Sequence, residues 1–152
     1  MKTLYNTILE RIKAQITEIK FIDFEMGQLE SLSQNERPAV VFPCALIDID
    51  YPNCENKDED ETIQMVTARV SIKMAFEVQP QTDSLAATLK RTAGLAFLDT
   101  VEKVYKNFQG YSTNDFESFT RKSQSPDKRF DGSGIKVYDL VFETSFLDTS
   151  AE

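Results

Sequence analysis

The chain has no histidine and no tryptophan, and only two cysteines among its 152 residues. Without histidine, neither a Ser-His-Asp nor a Cys-His arrangement can be assembled within one chain. Two thiols also fall short of structural zinc, which takes four Cys and His ligands. Cys44 and Cys54 do not form a CxxC pair. Cys44 lies in an apolar run and reads as core, and geometry alone decides whether the two are bridged. No stretch approaches the roughly 18 consecutive apolar residues of a membrane span. The N-terminal MKTLYNTILERIKAQ breaks its apolar positions with polar and charged ones, unlike a secretory signal. A cytoplasmic protein with no membrane association is therefore expected. Basic charge is scarce too: 17 Lys and Arg stand against 25 Asp and Glu, a net charge of −8. Displacing counterions from phosphate needs the opposite balance, so no direct nucleic-acid contact is expected. The nearest basic cluster (Arg121, Lys122, Lys128, Arg129) reads as mixed surface charge.

What is present predicts one α+β domain over residues 1–152. Leu4, Ile8, Ile12, Ile16 and Ile19 form one stripe at helical period, giving an amphipathic helix over 3–20 with Thr3 as a rough N-cap. Residues 21–30 have no clean period, and 31–37 read as a polar loop. AVVFPCALIDIDY (39–51) reads as a strand, and Pro43, which cannot donate to a ladder, places it at an edge or at a bulge. Residues 62–78 carry the strongest pattern: Val66, Ala68, Val70, Ile72, Met74, Phe76 and Val78 occupy every second position. One buried and one wet face is the signature of an antiparallel sheet covered on one side.

Pro80 breaks the strand, and Thr82 or Asp83 is placed to cap a helix. Its apolar positions run Leu85, Leu89, Ala93, Ala96, Phe97, Val101, Val104, Tyr105 and Phe108, with Gly110 as a C′ glycine. Gly94, beside Ala93 and Ala96, predicts a close approach of this helix to the sheet. A strand anchored by Phe116 and Phe119 follows, then a hairpin turn at DGSG (131–134). In the closing strand Tyr138, Leu140, Phe142, Thr144 and Phe146 share one face. The expected fold is a mostly antiparallel sheet of about four strands, one face covered by the N-terminal helix and the long central helix. Residues 148–152 form a flexible tail.

The densest chemistry is acidic. Residues 55–61 hold five carboxylates and one lysine, a local charge of −4, in a hairpin loop expected over 51–61. Asp48-x-Asp50 matches only the start of a calcium loop: no glycine stands at the sixth position, and Pro52 and Cys54 interrupt the spacing. No metal site is assigned. DGSG is no phosphate cradle, since no helix follows it, and no carboxylate pair stands out for glycoside chemistry. The acidic run reads first as a solvated loop and second as a partner-facing surface, and on the second reading Asp58, Glu59, Asp60 and Glu61 are candidate interface residues. Val137 and Val141, on the outward face of the last strand, predict that another subunit covers that face.

The order of elements resembles the tail terminator (tail completion, head–tail joining) proteins of long-tailed bacteriophages and prophages. The resemblance is carried by LYNTILERIKAQI, FIDFEMGQLE leading to RPAVVF, ARVSIKMAFEV, DSLAATLKRTAGLAFLDTVEKVY and IKVYDLVFETSF. It implies a structural protein that closes into a ring, commonly six-fold, on the end of the tail tube. There the ring halts tube growth and meets the head connector, first in the host cytoplasm and then in the virion tail. In such a ring the hairpin of residues 45–70 is expected to project towards a neighbour, with Arg69 and Lys73 meeting its acids. It implies no catalysis, no cofactor and no small-molecule substrate. A second reading from the residues is a dimeric α+β module holding an apolar ligand between sheet and helix. A carboxylate enzyme is the third.

Overall fold

A computed structural model describes residues 1–31, 36–79 and 81–151. Among them, five strands form one mixed sheet with two helices on one face. Helix α1 (Lys2–Gln15) starts one residue before Thr3, which therefore caps nothing, and ends well short of residue 20. Ile16 and Ile19 stay buried in the turn beyond it, so the apolar stripe outlasts the helix.

Strand β1 (Phe21–Phe24) lies parallel to β2 (Cys44–Asn56), which pairs antiparallel with β3 (Gln64–Glu77). Strand β5 (Ile135–Asp148) runs antiparallel between β3 and β4 (Thr120–Pro126), giving the order β1-β2-β3-β5-β4. Strand β1 is a fifth strand beyond the four expected, and the sheet is otherwise antiparallel. Strand β2 is internal, and Pro43 stands just before it, joined to Phe42 by a cis peptide. Pro43 thus marks neither an edge nor a bulge. The register shift falls between Asp50 and Asn53, around Pro52, where the missing N–H interrupts the ladder.

Helix α2 (Thr88–Phe108) begins well after Thr82 and Asp83, and its N-cap is Ala87, with no side-chain cap. Asp83 instead accepts the Leu85 amide at 2.8 Å, holding a turn that precedes the helix. Gly110, at φ +76°, ends the helix as a C′ residue. A Cβ on Gly94 would lie 2.9 Å from the Thr82 methyl and 3.5 Å from the Gln79 and Gln81 carbonyls. The close neighbour of Gly94 is therefore the incoming loop and not the sheet. Pro80, expected to stop the strand, lies outside the described residues, as do residues 32–35 of the polar loop and Glu152 of the tail.

The main core fills the space between the sheet and the helices. Ile47, Val70, Ile72, Met74, Leu140 and Phe142 meet Leu4, Ile8, Ile12, Val104 and Phe108, all buried. Phe108 sits at its centre, with ring centroids 5.7 Å from both Phe119 and Phe142. A second, smaller core lies on the opposite sheet face at one end. There Leu29, Val40, Phe42 and Phe130 cover Cys44, Leu46, Ala75 and Val137. The two cores leave two areas open: the middle of the outer face, and the first half of α2.

Candidate functional site on the outer sheet face and hairpin tip

The β2–β3 register sets Asp50 opposite Arg69. A cross-strand pair on one face brings side chains within reach, and the guanidinium grips the carboxylate at 2.9 and 3.0 Å. Four residues along β3, Lys73 reaches Glu25 just beyond β1, with Nζ 2.6 Å from Oε2 and both side chains more than four-fifths covered. Ser71 donates to Asp139 at 2.5 Å, and Lys122 pairs with Glu143 at 2.8 Å. These groups line a shallow depression of about 460 Å³ that also contains Asp48 and Val141. Arg69 and Lys73 thus already have acidic partners within their own chain.

Strand β2 runs through Asn56, so residues 51–56 belong to the strand and the acidic loop narrows to 57–63. Asp58 organises it. Its carboxylate accepts the Ile63 amide at 2.8 Å and the Thr62 amide and hydroxyl at 3.1 and 2.8 Å. The Lys57 amide donates to the Ile63 carbonyl across the base. Glu61 takes the left-handed conformation, φ 57°, that closes the turn. Asp58 is therefore a turn residue, while Glu59, Asp60 and Glu61 are exposed at the tip. Among the described residues, Asp, Glu and Cys form no group of three or more placed to hold a metal ion.

The amide of Ile63, seconded by Thr62, holds the Asp58 carboxyl below its ordinary value of 3.8. A carboxyl lowered on folding stabilises the loop above the ordinary range and loses that contribution as pH falls through the lowered folded value. The Thr62 and Ile63 amide resonances should therefore titrate together with a midpoint below 3.8. In an Asp58→Asn variant that step should vanish; a midpoint at or above the ordinary value would contradict the geometry.

Val137 is fully buried in the second core, under Phe42 and Phe130 of its own chain. Its cover is supplied internally, so it offers nothing to a neighbouring subunit. Val141 is half-buried and lines the charged depression. Both cysteines are free. They lie toward opposite ends of β2, roughly 30 Å apart at about 3.3 Å per residue, far beyond disulfide reach. Burial pushes the Cys44 thiol up to about 11, which keeps it protonated at neutral pH.

Two aromatics outside the main helical and strand stripes pack inward. Tyr111 stacks on Phe119 with Arg11 3.5 Å over its ring, and Tyr51 meets Phe146 edge-on. Sequence periodicity missed one surface altogether: Leu85 and Leu89 sit at core phase yet are 94% and 86% exposed. Ala93 and Ala96, read as core on the same pattern, are exposed as well. Beside them runs an open groove of about 790 Å³ lined by Phe76, Val78, Gly94 and Phe97.

Fold and surface together define the class: a small α+β domain with helices on one face of a mixed sheet and internally paired charges on the other. No protein-family model matches the chain, and no curated protein matches it in sequence. Among solved structures it is similar to a chain of the "Virion of native gene transfer agent (GTA) particle". The TM-score is 0.53 at 10% identity, and the likeness covers 95% of each chain. At that identity the two share a fold over nearly their whole lengths. Among the described residues, no helix is long and apolar enough to cross a membrane.

Proposed function

We infer that the chain is a structural component of a phage-like particle, acting as a tail terminator that closes into a ring on the tail tube and meets the head connector. The observation that carries this reading is the shared fold with a chain of a gene transfer agent virion, end to end in both. It agrees with the order of elements that led to the family resemblance. The surface is compatible with assembly: an acidic tip at one end of the sheet, and exposed leucines on α2 at the other. Ile72, Met74, Val104 and Phe108, all fully buried, fill the middle of the space between sheet and helices, so a ligand-holding module would be confined to the open groove at one end, beside Phe76 and Phe97.

The test is assembly. Tail-tube protein encoded by the same genome is polymerised with and without the purified chain and imaged by electron microscopy. The expected result is tubes of limited length bearing a ring of this protein at one end. Tubes that grow unchecked with no ring bound would reject the terminator role.

A further inference from the structure

We propose that the exposed half of α2 is the receptor for the acidic hairpin tip of a second copy of this chain, joined head to tail; this rests on the ring reading and names its two surfaces. The receptor is apolar and basic together. Leu85 and Leu89 stand in solvent, and Ala93 and Ala96 continue the same exposed side. Leu85 in the turn before the helix and Leu89 in its first turn are two large exposed side chains four residues apart, and such clusters mark interaction sites. Directly after Leu89 come Lys90 and Arg91, which enter no ion pair among the described residues. The first turn of α2 holds no acidic residue to offset them.

The tip supplies the complement. Glu59, Asp60 and Glu61 are exposed and likewise enter no ion pair among the described residues, in a chain where many other charges are paired. Leu147, 53% exposed, lies one rung below the tip opposite Met65, so the tip also carries an apolar patch. The loop is pre-shaped by Asp58. Free acids beside a leucine on one surface thus match free cations beside leucines on the other, the kind of charge complementarity that fixes partner and register.

Placement excludes self-contact. The first half of α2 meets the far end of β3, where Phe97 packs 5.6 Å from Phe76. The tip leaves the near end, at Gln64. Twelve residues of strand separate them, roughly 40 Å at about 3.3 Å per residue. One chain cannot bring its own tip to its own helix, but successive copies can. Such a contact joins two different surfaces and therefore propagates until a ring closes or a fibre grows.

Cysteine trapping tests this. The full chain carrying Cys54→Ser, Asp60→Cys and Leu89→Cys is oxidised at high concentration and low salt, and resolved without reductant. The expected result is a ladder of covalent oligomers from trimer upward that stops at one size. Either cysteine alone should give nothing beyond dimer. Lys90→Glu with Arg91→Glu should cut the ladder at least tenfold, and Glu59→Lys with Glu61→Lys added to that variant should restore it. No species above dimer, or a ladder indifferent to the charge reversals, would overturn the proposal. If the wild-type chain still rings and caps tubes while the trap fails, these two surfaces are wrong and the terminator reading stands. If the trap succeeds and tubes are not capped, the contact is real and the terminator reading falls.

Discussion

Replacing Val137 by Asp should destabilise the isolated chain by about 4 kcal/mol or more, whereas Val141→Asp should cost less than about 1 kcal/mol. The two valines are four residues apart on the same face of β5, and the sequence alone treats them alike. Val137 is sealed beneath Phe42 and Phe130, where a carboxylate would have no cation and no water. Val141 borders an open depression lined by Lys73 and Lys122 as well as Asp139 and Glu143, where a new acid keeps its water. For a chain of this length the larger figure lowers the melting temperature by roughly 10 °C. Thermal unfolding at micromolar protein reads the difference. If another subunit covered Val137, both substitutions would leave the dilute chain equally stable and would act only on assembly.

Phe108→Ala should cost about 3–5 kcal/mol, the range for deleting a large side chain from a core that cannot collapse around the loss. Phe108 closes the last turn of α2 against Phe119 before β4, Phe142 on β5 and Tyr111 in the loop between. Each neighbour is held in place by a different element, so none can move in to fill the space. Phe108→Leu, which leaves a smaller cavity, should cost well under half as much. Denaturant unfolding should show a shifted midpoint with little change in slope. Equal losses for the two variants would mean that ring contacts, not volume, set the cost.

Strand β3 was legible because its alternation is local: each residue's face follows from its neighbours in the chain. The same reasoning recovered β5 and the buried half of α2. It failed for β1, whose four residues FIDF have too short a run to show a period and whose partner, β2, is reached only through a long connection. It also failed for Leu85 and Leu89. Helical spacing says that residues share a side of a helix and cannot say whether anything lies against that side. Pro43 was the visible proline, but a proline disturbs a ladder only where a neighbouring strand asks for its N–H. That position turned out to be Pro52. The outer-face charges were the least legible. Arg69 finds Asp50, and Lys73 finds Glu25, through a strand register that no local pattern encodes.

The hydrogen bonds inside the 57–63 loop bear on how quickly a partner is found. Because Asp58 fixes the backbone on folding, Glu59, Asp60 and Glu61 meet solvent as a stationary array of negative charge, with little ordering left to lose on contact. A stationary array acts before contact, by drawing an oppositely charged surface across the last nanometre of diffusion. That reach shrinks from about 30 Å at 0.01 M salt to about 8 Å at 0.15 M. Ionic strength would then govern how often two copies meet, more than how long they stay together.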